Sequence, residues 1–202
     1  MIDALFGSKT RVKLLHLFLN NPGQPFYVRE ITRKIEEQIN SVRRELANML
    51  NVGIITSDSS NNKLYYQVNQ RYEYYIPLRA IFSDVKSEIN NVSLIIKDDI
   101  VQKYKIVLDE ITGLRLAIFA GVLVKKSNSS VDMVLVGNIS STKVKTFISL
   151  VEKNEGRDIN YTILPYDEFY YRLSVKDKFV NDILNNKYVV AVDKDNILNK
   201  GE

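Results

Sequence analysis

Cysteine is absent from all 202 residues, which excludes a disulfide framework and any thiolate-ligated metal. Histidine occurs once, at His16, so neither a His-based metal site nor a serine triad can be assembled. No apolar run reaches the roughly 20 residues of a membrane-spanning helix. The opening Met1–Gly7 stretch lacks the apolar core of a secretory leader, and no glycine-rich phosphate loop of the Walker or dinucleotide type is present. Internal repeats and low-complexity tracts are missing as well. These absences predict a cytoplasmic protein with no metal, no cofactor and no membrane partner. What is there is ordinary globular material, 45% hydrophobic and 26% charged, in a chain long enough for one large or two small domains. The net charge of +4 and pI near 9.0 are compatible with a nucleic-acid partner without requiring one.

The chain reads as α+β in three stretches: 1–71, 72–112 and 113–202. In the first, Phe26–Asn69 is the most informative part. Val28, Ile31 and Ile35 recur at helical intervals, the polar break Glu36-Glu37-Gln38 follows, and Val42, Leu46, Met49 and Leu50 form one stripe of a second short helix. Asn40 or Ser41 is expected to cap that helix, and Gly53 to stop it. Ile54-Ile55-Thr56 and Leu64–Val68 alternate as strands around a polar tip, Ser57–Lys63. Two helices, a tight turn and a two-stranded wing suit docking in duplex DNA. A recognition helix offers its N-terminal side chains to base edges. Arg reads guanine and Asn reads adenine, while Lys, Arg and Ser hold phosphates. The candidates are Gln38, Asn40, Ser41, Arg43 and Arg44 on the helix, with Asn61, Asn62 and Lys63 on the wing. Against this stands the bland alternative that these are solvated faces of a small helical domain.

The run Ser8–Leu19, the segment Phe26–Ile31, and Asn40–Leu46 leading to Asn51-Val52-Gly53-Ile54-Ile55 together resemble the winged helix-turn-helix of ArsR- and MarR-type regulators. The resemblance covers about the first third of the chain and implies double-stranded DNA as partner. It also implies pairing, since the helix after the wing in many such regulators meets its copy in a second subunit. The 72–112 stretch is then a helical linker or dimerisation segment, with Pro77 near the first turn of one helix and Ser93–Asp109 as an amphipathic segment. The tyrosines Tyr72, Tyr74 and Tyr75 either pack one domain on the next, seal a homodimer or stack on bases.

From Gly113 the pattern alternates strand and helix. Leu114–Ala120, Val131–Val136 and Asp158–Leu164 are expected strands, and Lys187–Val192 is a final apolar run. A helix capped by Ser140 or Ser141 follows the second, and helices near Asp167–Leu173 and Lys178–Asn185 follow the third. The order predicts an α/β unit with a mixed sheet. The segments Leu116–Gly121, Ser129–Gly137 and Gly156–Thr162 resemble the minimal nucleotidyltransferase domain of the DNA polymerase beta superfamily. An active member carries a Gly-Ser pair whose amides hold phosphates, an Asp-X-Asp on the second strand and a third carboxylate on the next. Here Gly121-Val122 replaces the pair, Ser130 replaces the first carboxylate, Asp132 remains, and Asn160 falls at the third place with Asp158 nearby. One carboxylate does not hold the two metals such chemistry needs. The resemblance therefore implies a fold without the enzyme activity, with a remnant cleft at Gly121, Lys125 and Asp132 for a small-molecule or nucleotide effector, or Asp132 as a local hydrogen-bonding residue. The resulting expectation is a dimeric DNA-binding regulator. The alternatives are an active nucleotidyltransferase targeted by its winged helix and an antitoxin-like interaction scaffold.

Overall fold

A computed structural model describes residues 5–60, 62–82 and 100–198. The chain divides into two compact units, 1–91 and 92–202, each α+β.

In the first unit, α1 (Lys9–Asn20), β1 (Phe26–Tyr27), α2 (Val28–Ile35), α3 (Ile39–Val52), β2 (Ile55–Ser60), β3 (Lys63–Val68) and α4 (Tyr75–Phe82) follow in order. The Ser8 hydroxyl caps α1 by accepting from the Arg11 amide. The three strands are antiparallel in the order β1-β3-β2. Their apolar sides and those of the helices meet in one core: Leu14, Phe18, Phe26, Ile31, Val42, Leu46, Met49, Tyr66 and Val68 are all buried.

Three details differ from the sequence reading. The helix expected to begin at Asn40 or Ser41 begins at Ile39, with Gln38 at its N-cap and no side-chain cap. The Val42 amide reaches Gln38 O at 3.0 Å, so Asn40 and Ser41 lie inside the first turn instead of capping it. The wing is longer and its tip tighter than expected. Ser60 pairs with Lys63, and Asn62 takes φ of 56°, the left-handed conformation that a two-residue hairpin asks of Asn or Gly. The tyrosine cluster also divides. Tyr75 is buried in the core of its own unit, whereas Tyr74 is exposed.

The 72–112 stretch contributes α4 to the first unit, where the Asn20 side-chain amide donates to Phe82 O and His16 meets the Phe82 ring edge-on. The same stretch contributes α5 (Ile100–Asp109) to the second unit, through buried Tyr104 and Leu108. The part of the expected amphipathic segment before Ile100 lies outside the described residues.

The second unit continues with β4 (Leu114–Phe119), a 3-10 turn (Gly121–Leu123), β5 (Met133–Gly137), α6 (Ser141–Glu155), β6 (Tyr161–Leu164), α7 (Tyr166–Ser174), α8 (Lys178–Leu184) and β7 (Val189–Asp193). The sheet order is β6-β5-β4-β7, mixed because β5 and β6 run parallel while the other neighbours are antiparallel. Side chains alternate between two cores, as a strand period of two requires. Ala117, Phe119, Met133 and Leu135 pack with α5 and α6. Leu116, Ile118, Val134 and Val136 pack with α7 and α8. Both sheet faces are covered, and the central strands read accordingly as unbroken apolar runs. Where β4 meets β5 the backbones nearly touch. A Cβ on Gly113 would lie 2.0 Å from Asn138 O, and one on Gly137 would lie 2.0 Å from Gly113 O.

Among the described residues no helix is long and apolar enough to cross a membrane, and no cluster of His, Asp or Glu is arranged to hold a metal ion.

Candidate nucleic-acid interface and the loop beside Asp132

The helix α3 is fixed from behind by charge. Glu45, on its inner side, is 3% exposed and accepts from Arg11 Nε of α1 at 2.9 Å. Burial pushes the Glu45 carboxyl up, but hydrogen bonds from Arg11, Ser8 and Asn48 outweigh it and hold the group below the ordinary glutamate range. The turn before α3 is pinned by Lys13, which donates to Ile35 O at 2.7 Å and pairs with Glu37 at 2.8 Å. Glu37 is held low first by that hydrogen bond from Lys13. Glu36 closes α2 in the left-handed conformation at φ 52°, and this reverses the chain between the two helices.

With its inner side anchored, α3 presents Gln38, Asn40, Arg43 and Arg44 to solvent and leaves Ser41 half-buried. Burial pushes the Tyr66 phenol up while the positive charge of Arg43 opposes it. At the wing, Asn62 and Lys63 are exposed, and Asn61 lies outside the described residues. Arg29, Arg33, Arg43, Arg44 and Lys63 make no ion pair among the described residues.

A further group escaped the sequence reading. Tyr27 of β1 accepts a hydrogen bond from Arg33 Nη2 at 3.1 Å. Lys63 lies over the same ring, 5.2 Å from its centroid, and Tyr65 meets it edge-on at 6.1 Å. Tyr27, Arg29, Thr32, Arg33 and Ile39 line an open pocket of about 480 Å³ at the junction of β1, α2 and α3. The available signal was the pair of cations four apart, Arg29 and Arg33, on the outward side of a helix whose apolar side is Ile31 and Ile35.

In the second unit the equivalent question concerns the loop between β4 and β5. Asp132 is completely buried, and its two carboxylate oxygens accept from backbone: Oδ1 from the Val122 amide at 2.8 Å and Oδ2 from the Asn160 amide at 2.9 Å. The Gly121 amide donates to Ser127 Oγ at 3.0 Å. Asn160 donates its side-chain amide to Ser130 O at 3.1 Å, and Ser129 and Val131 close a local turn. The amides of Gly121 and Val122, which the sequence resemblance assigns to phosphate, are thus both engaged within the loop. Lys125 is exposed, and Gly121 is buried. The three remnant-cleft residues are therefore not presented together on one accessible surface.

No family model, curated protein or solved structure matches this chain.

Proposed function

We propose that the chain is a DNA-binding regulator whose first unit acts as a winged helix on duplex DNA. In this reading α3 enters the major groove, Asn40, Arg43 and Arg44 meet base edges, and Ser41, Gln38, Asn62 and Lys63 meet the backbone. The observation that carries the reading is the row of cations on α2, α3 and β3 that make no ion pair among the described residues, beside a helix whose inner face is stapled by Arg11 and whose preceding turn is pinned by Lys13. A row of exposed, uncompensated guanidiniums supplies the electrostatic footprint of a polyanion and the donors that read guanine. Selection from a random duplex pool, followed by titration at several salt concentrations, tests it. Binding that weakens steeply with salt and yields a consensus supports the reading. Loss of the consensus in Arg43→Ala/Arg44→Ala assigns the reader to α3.

The proposal includes a homodimer, because two half-sites one helical turn apart need two recognition helices related by a two-fold axis. Light scattering with and without the selected duplex tests this, and a monomer in both conditions removes it. The second unit is proposed as a nucleotidyltransferase-like scaffold for assembly or effector binding, without transfer activity. The inward-turned Asp132 supports that view, since a completely buried carboxylate that accepts from two backbone amides is not presented to a hydrated Mg²⁺. Incubation with labelled nucleoside triphosphates and Mg²⁺ or Mn²⁺ tests it. Label transferred by the wild type and lost in Asp132→Ala overturns it.

A further inference from the structure

We infer that the pocket formed by Tyr27, Arg29, Thr32, Arg33 and Ile39 seats one deoxyribose-phosphate unit of a DNA backbone, and that Tyr27 couples this seat to the wing. The inference rests on the duplex-binding reading above and specifies a contact that reading does not contain.

The chemistry of the lining selects the occupant. The Tyr27 ring and Ile39, the latter 36% exposed, make an apolar floor of the kind a sugar ring covers. Arg29 and Arg33 supply planar donor forks at the rim, which match phosphate oxygens in two-point contacts. Thr32 does not offer its hydroxyl proton, because that proton goes to Val28 O at 2.8 Å. The site is open and its cations are exposed, so a free anion would be weakly held there. A polyanion whose neighbouring phosphates also meet Lys63 and Arg44 gains from their proximity on one strand. A polymer is therefore favoured over an isolated phosphate.

Tyr27 gives the coupling. Its hydroxyl orients Arg33, and its ring carries the Lys63 ammonium. One side chain on a two-residue strand thus sets the position of a cation on α2 and of another at the root of the wing tip. A phosphate held by Arg33 is held at a fixed offset from one held by Lys63, which positions α3 without reading sequence.

The test uses the full-length protein and the duplex it selects, with single methylphosphonates placed at each backbone position in turn. For the wild type, neutralising one phosphate per half-site is expected to weaken binding about tenfold. Arg33→Gln, an exposed position, is expected to bind the unmodified duplex about tenfold more weakly, with a salt slope lower by about one and an unchanged consensus. It is also expected to be indifferent to the methylphosphonate that hurts the wild type. Tyr27→Phe keeps the ring and removes the acceptor for Arg33, and is expected to lose part of that same phosphate sensitivity. If the wild type binds its duplex and Arg33→Gln retains every methylphosphonate penalty, the seat is wrong while the duplex reading stands. If the wild type selects no duplex at all, the duplex reading fails first and takes the seat with it.

Discussion

The surface of α2 and α3 and the loop around Asp132 handle polar groups in opposite ways. On the helices Arg29, Arg33, Arg43 and Arg44 face outward with no ion pairs among the described residues, while the carboxylates nearby, Glu37 and Glu45, are engaged by Lys13 and Arg11 behind them. In the loop the carboxylate points inward and meets backbone amides at 2.8 and 2.9 Å. Groups that complete one another inside a fold stabilise it. Groups of one charge left to solvent, on an element held rigid from behind, are available to something else.

The sharpest way to break this contrast is Asp132→Ala. Removing this acceptor leaves two part-buried amides without it, each loss costing about 1–3 kcal/mol, so the second unit should lose about 4 kcal/mol. Hydrogen-exchange protection across β4, β5 and β6 should collapse while that of the first unit persists. A variant as stable as the wild type would show that the carboxylate was held for some purpose other than architecture.

The opposite outcome is expected on the helix. Arg44→Ala should cost about 2 kcal/mol of binding to the selected duplex and relax preference at one base pair, with an unfolding midpoint matching the wild type. A fall in stability instead would move this arginine to the structural side of the contrast.

Smaller is the effect expected at Glu36, which holds a left-handed conformation that costs an L-residue about 1 kcal/mol. Glu36→Gly should raise the stability of the first unit by about 0.5–1 kcal/mol in urea titration. A decrease would mean that the Glu36 side chain has a role beyond its backbone.

Smallest is an acid effect confined to the first unit. The Glu45 and Glu37 carboxyls lie below the ordinary glutamate value of 4.5. Groups depressed on folding add stability above their unfolded value and lose it as pH falls through the folded one. The first unit should therefore weaken as pH drops below about 4.5, and Glu45→Gln should flatten that decline. A decline equally steep in Glu45→Gln would place the acid sensitivity elsewhere.

Legibility in the sequence followed the range of the interactions. The central strands Leu114–Phe119 and Met133–Gly137 were readable because helices cover both sheet faces and leave continuous apolar runs. The ends of α3 were partly readable. Gly53 stops it at φ 84°, but its start was misplaced because Asn40 and Ser41 have the composition of caps while the Lys13 contacts with Ile35 O and Glu37 set the turn before it. The Tyr27 pocket was hidden, because its lining comes from β1, α2 and the first turn of α3. The partners of Asp132 were hidden for the same reason. Val122 follows β4 and Asn160 precedes β6, the strands on either side of β5, and nothing in the spacing of 122, 132 and 160 announces that meeting.

The near-touching backbones at Gly113 and Gly137 set a rule for recognising kin. Because any β-carbon at either position would lie 2.0 Å from a main-chain oxygen, and both residues have positive φ, neither position tolerates drift and one change does not rescue the other. Ancestry that has erased the surface arginines and the loop serines should still leave this pair intact, one glycine entering the first strand of the sheet and one leaving the second. Chains too diverged to align along their length can be sorted by that joint retention, and a saturation library of the two positions should return glycine at both.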